Sequence, residues 1–164
     1  MPHQSLSPNF LMLLNTEQNV CLGKQTITRA IFRKDAVKEN PPPYIQSIEF
    51  MPKMRNGELE TALSFIHQED GVSNDDIKHL AKTKINPNGS VWYLAQLLIQ
   101  KIADMRYENG TKINLTIKRD NIPFDKHTSM YPVSEDVLIQ QEVAAALASV
   151  AGKPIVMKGT KKFD

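Results

Sequence analysis

Hydrophobic and polar positions change period several times along the chain. In residues 26–32, rich in β-branched types, Ile27 and Ile31 share one side of an extended backbone while Ala30 and Phe32 share the other. That pattern predicts a strand with apolar groups on both faces. In residues 44–50 a period of two groups Tyr44, Ile48 and Phe50, with Gln46 as the polar exception. Pro52, lacking an amide donor, ends this second predicted strand. The preceding Pro41-Pro42-Pro43-Tyr44 contains Pro-Pro-x-Tyr, the minimal peptide gripped by WW domains. The alternation argues instead that Tyr44 is buried and that the prolines are a stiff lead-in to the strand.

The period then lengthens. After Asn56-Gly57-Glu58, Leu59, Ala62, Leu63 and Ile66 recur at i, i+3, i+4, i+7 and predict a helix stopped by Gly71. Ser73 caps a short helix with Asp75 and Asp76 in its first turn and Ile77, Leu80 and Ala81 turned inward. A turn at Asn86-Pro87-Asn88-Gly89 leads to residues 90–107, the strongest helical pattern. There Val91, Leu94, Ala95, Leu98, Ile102 and Met105 form a stripe widened by Trp92, Ile99 and Ala103. Asn109-Gly110 ends it, and Ile113, Leu115 and Ile117 alternate with polar residues as in a strand with one wet face.

Residues 120–133 read as a loop of roughly fourteen residues, long for a compact domain. Ser134-Glu135-Asp136 then caps a last helix with Ile139, Val143, Ala146, Leu147 and Val150 on one face, and residues 154–157 form an edge strand. Residues 8–23 fit one helix or two short strands equally well. The elements add up to one α+β domain over residues 1–164: a mainly antiparallel sheet of four to five strands with helices packed on one face. Residues 1–8 and 159–164 are expected to be flexible tails.

Composition narrows the class without naming a function. The 164 residues are 41% hydrophobic and 23% charged, as in an ordinary globular core and unlike a disordered chain. No apolar run approaches the roughly 18 residues of a membrane span, and the run at residues 10–14 lacks the flanks of a signal peptide, so the expected compartment is the cytoplasm. Cys21 is the single cysteine, which excludes an internal disulfide and a cysteine-built zinc site within one chain and reads as a buried or semi-buried thiol. The net charge of +2 is too mild to demand a nucleic-acid partner.

Candidate chemistry is thin. Phosphate-loop, dinucleotide-binding, hydrolase and metalloprotease motifs are absent, and no cofactor is implied. His127 and Asp125 lie together in the long loop and are the weak candidates for acid–base catalysis. His67 sits where the C-terminal dipole of the predicted helix would favour an imidazolium. Asp75 and His79, one helical turn apart, are weak candidates for a metal pair without a third ligand. The basic residues 24–38, with Arg29, Arg33 and Lys34 foremost, could contact phosphates together with Lys158, Lys161 and Lys162. Gln46, on an apolar face, would suit an internal pocket of an α+β cone. Trp92 and the broad stripe around it suit a subunit contact. The leading expectation is a non-enzymatic accessory or regulatory protein acting through macromolecular interaction and self-association. Nucleic-acid binding and a small-molecule or enzymatic pocket near Gln46 are the alternatives.

Overall fold

The computed structural model describes residues 25–39, 41–68, 72–85, 89–121 and 123–157. The ambiguous segment 8–23, Cys21, both expected tails, Gly71, most of the 86–89 turn and the lysines Lys158, Lys161 and Lys162 lie outside these residues. The strands, in chain order, are β1 (Thr26–Ile31), β2 (Val37–Lys38), β3 (Tyr44–Ile45), β4 (Met54–Arg55), β5 (Glu58–Leu59), β6 (Leu63–Gln68), β7 (Tyr93–Leu98), β8 (Thr116–Arg119), β9 (His127–Tyr131) and β10 (Ile155–Val156). Six of them form the main antiparallel sheet in the order β10-β7-β1-β6-β9-β8. The α+β class and antiparallel sheet match the sequence reading, with six strands in place of four to five. Two small ladders stand apart, β2 with β3 and β4 with β5. The helices are α1 (Asn74–Leu80), α2 (Ile99–Ala103) and α3 (Val137–Val150).

The registers sort the residues between two faces. Ile27, Ile31, Phe65, Leu97, Met130 and Ile117 point to one side, where they join Phe50, Ile102, Ala144 and Leu147 in the main core. Helices α2 and α3 and the 3-10 turn Ser47–Phe50 cover that side. On the opposite face Ile66 and Leu94 meet Ile77 and Ala81 of the short helix α1 and its one-turn continuation Ala81–Ile85. This second layer reaches only part of its face, and Ser64 and Lys118 stay exposed farther along the sheet.

Two predicted helices are strands. β6 takes the place of the helix expected after Gly57, because Asn56 and Gly57 both adopt positive φ, 53° and 79°, and turn the chain tightly between β4 and β5. Such a two-residue turn matches the twist of a hairpin. In the predicted helix of residues 90–107, Tyr93 to Leu98 is β7 and only the five residues of α2 are helical. β7 lies between β10 and β1 and is covered on both faces, so its near-continuous apolar run buries without needing a helical period.

The long loop also shortens: β9 begins at His127, and the turn before it is closed by Asn121, whose Oδ1 accepts the Lys126 N–H at 2.9 Å. The predicted strand over 44–50 stops at Ile45 and folds into the 3-10 turn. Ile45 and Phe50 are buried, whereas Tyr44 and Ile48 face solvent, against the expected burial of the Tyr44 ring. Tyr44 nevertheless pairs with Lys38, so its segment is held in a ladder and is not a free polyproline II peptide. The capping box of Ser73 and Asp76 starts α1 as expected.

Candidate functional site

Helix α3 begins with an apolar run that its own fold leaves uncovered. Asp136 Oδ1 accepts the N–H groups of Leu138 at 2.9 Å and Ile139 at 3.5 Å, which caps the helix. The helix then turns Gln140, Ala144 and Leu147 inward, one position on from the predicted start of the stripe at Ile139. The buried Gln140 amide donates to Ser134 O at 2.6 Å. Val137, Leu138 and Ile139 are left 56%, 71% and 36% exposed.

On the next turn, Gln141 and Ala145 form one wall of a groove of about 750 Å³, opposite Phe32, Ile48, Met51 and Pro52. Val137 and Leu138 precede Gln141 by four and three residues, so they stand on the same side of the helix and extend the groove. Ile48 is itself 57% exposed. Glu135 and Asp136 bring acid to one end of this surface, and Arg33 and Lys53 line the groove.

The residues singled out from sequence fall in several places. Arg29 is not an exposed phosphate contact: it is 7% exposed, its Nε donates to Glu49 O at 2.8 Å, and its Nη1 donates to Ser64 O at 3.1 Å. Burial lowers its pKa from the ordinary arginine value, with Glu60 and Glu49 opposing that shift. Arg33 is engaged by the buried Glu49 carboxylate at 2.5 Å and by Asp35 at 3.6 Å. Lys34 stands over the Trp92 ring, 5.6 Å from its centre, and Trp92 is half-buried against the main core. The basic segment is thus largely occupied by internal partners. Gln46 donates to Asp35 O at 2.7 Å and lines neither the groove beside α3 nor a second, trough-shaped cavity on the other face of the sheet, so the pocket expected around it is replaced by others. Asp75 and His79 are exposed on α1, and among the described residues no three His, Cys, Asp or Glu side chains converge on a metal site.

His127 is buried and separated from Asp125, which is exposed and faces Arg119 at 3.9 Å. Its Nδ1 meets Asp120 Oδ1 at 2.6 Å, and Ser129 Oγ donates to Asp120 Oδ2 at 2.7 Å. One carboxylate therefore orients both side chains, and the serine bonds the aspartate instead of the imidazole. His67 is in β6, not at a helix end, and burial depresses its pKa to about 4, helped by Arg119 and Lys126.

His127 also borders the trough, which encloses about 700 Å³ over the partly covered face of the sheet. Thr28, Ile66 and His127 form a row across β1, β6 and β9 on its floor. Lys84 stands on the α1 side, and Lys53 and Arg55 enter from the β4 region. No motif in the sequence marks Lys53, Arg55 or Lys84. They are dispersed along the chain and converge only when the Asn56-Gly57 hairpin and the end of α1 pack over the same face.

No family model matches the chain, and neither a curated protein nor a solved structure is significantly similar to it. The class that fold and surfaces define is an α+β protein with a six-stranded antiparallel sheet. Among its described residues no helix is long and apolar enough to cross a membrane.

Proposed function

We propose that the protein is a non-enzymatic accessory or regulatory component that works through macromolecular association, its first partner being a second copy of itself. The observation that carries this reading is the exposed run Val137, Leu138 and Ile139 beside the groove of Phe32, Ile48 and Met51. A two-fold contact uses the same patch on both copies, so it favours a surface that offers a ridge and a receiving groove side by side. Glu135 and Asp136 at the ridge and Lys53 at the groove supply opposite charges for such an exchange. A binding role also agrees with Ser129 donating its hydroxyl to Asp120 and not to the His127 imidazole. The reading invokes no cofactor, and a cytoplasmic setting goes with a chain whose one cysteine cannot close an internal disulfide.

Light scattering during size exclusion tests it. The wild-type chain is expected to elute at about twice its 18.5 kDa mass, and Leu138→Glu and Ile48→Glu are each expected to return it to one copy with unchanged circular dichroism. A wild-type protein that stays monomeric at its highest soluble concentration would sink the proposal.

A further inference from the structure

A second surface, on the opposite face of the sheet from α3, has the makings of a ligand site. Four cations line the trough, Arg29, Lys53, Arg55 and Lys84, against one carboxylate, Glu60. That carboxylate is already in use: Oε1 accepts the Lys53 N–H at 2.9 Å, and Oε2 lies 3.8 Å from Arg55. Lys84 has no ion-pair partner among the described residues. Cations therefore outnumber carboxylates around the trough, with Glu60 and the nearby Glu49 offsetting them in part, and they are presented from separate elements toward one space. Lys53 registers the crowding: partial burial first, and Arg29 next, lower its pKa from the ordinary lysine value. An anion between the walls would relieve that repulsion.

The trough is too large for a bare inorganic ion and falls within the roughly 300–1,000 Å³ of small-molecule sites. Its floor carries apolar Ala30 and Ile66, with Phe124 edge-on to His127 at 5.3 Å between ring centres. Cationic walls over a mixed floor suit a ligand with an anionic group and an apolar or aromatic body. A carboxylate would satisfy one wall. A phosphate presents several oxygens and up to two charges, and so can meet cations from both.

We propose that this trough binds a phosphate-bearing ligand of the nucleotide class, as a free nucleotide or as a stretch of single-stranded nucleic acid, with Lys84 and Arg55 as its phosphate contacts. The floor of the trough lies on the sheet face turned away from α3; Phe32 and Lys53 line both the trough and the groove beside α3, whereas Arg55 and Lys84 line the trough and not that groove.

Fluorescence anisotropy on the full chain tests it with two probes, a fluorescein-labelled dodecathymidylate and a fluorescent ADP analogue, each at 25 mM and 200 mM NaCl. At least one probe is expected to bind at the lower salt and to weaken at the higher. Binding of the oligonucleotide alone assigns the polymer, and binding of the ADP analogue assigns the free nucleotide. Lys84→Glu is expected to weaken the bound probe about tenfold or more and to reduce the salt slope by about one. Lys82→Glu changes the same charge two residues away, outside the trough, and is expected to alter affinity less than about threefold. Absence of binding by both probes at 25 mM NaCl would overturn the proposal, as would equal losses in the Lys82 and Lys84 variants. Retained binding in Leu138→Glu, a position outside the trough, would show that the site works within one copy of the chain, and loss there would overturn a phosphate site built on Lys84 and Arg55 alone.

Discussion

Thr28 is wholly buried on β1, and its hydroxyl has no hydrogen-bond partner among the described residues. An unsatisfied buried hydroxyl costs on the order of 1–3 kcal/mol, so Thr28→Val, which keeps the branched shape, is expected to raise the urea midpoint by about 1 kcal/mol equivalent. A lower midpoint would show that the hydroxyl is satisfied. Arg29 teaches the complementary lesson. In the alternation of β1 it occupies the same parity as Ile27 and Ile31, so its inward position was legible from sequence. Its partners were not, because Glu49 and Ser64 supply their carbonyls from elements 20 and 35 residues away. The pairing of His127 with Asp125, suggested by proximity along the chain, yields to Asp120 for the same reason: a turn brings residues seven apart within 2.6 Å.

At the scale of elements, short local signals survive folding better than long apolar patterns. The Ser73 capping box and the final helix are where their caps place them, since capping depends on residues three or four apart. Asn56-Gly57 is also a local signal, for a hairpin turn, and its positive φ pair makes it one. The apolar repeat that follows it is compatible with a helix only while the coverage of the strand is unknown. β6 and β7 each bury residues on both faces, which removes the alternation that distinguishes a half-exposed strand. Within α3 the rotation can be measured. Leu147→Ala is expected to cost about 2–5 kcal/mol of folding stability by opening a core cavity, whereas Leu138→Ala, measured on dilute protein, is expected to stay within about 0.5 kcal/mol. Comparable losses at both positions would contradict the observed inward face.

For the molecule as a whole, pH reports on the burial of His67. Its pKa is depressed to about 4 in the fold, mainly by burial, against roughly 6.5 in an unfolded chain. Between these values the unfolded chain takes up a proton that the folded one resists, so stability is full above about pH 6.5 and falls as pH drops toward 4. The loss from this group reaches about 3 kcal/mol at most. Urea melts of wild type and His67→Gln at pH 7 and pH 5 should show the variant losing distinctly less stability on acidification, and parallel losses would place His67 in contact with water. By itself the sequence determined the α+β class, the antiparallel sheet, β1, the capped helices α1 and α3 and the edge strand β10, because periodicity and capping act between near neighbours. Only the tertiary structure decided that residues 63–68 and 93–98 are strands, which partners Arg29 takes, that Tyr44 faces solvent, and that Lys53, Arg55 and Lys84 surround one trough. Those outcomes depend on which layer covers which face, a matter of packing between segments distant along the chain.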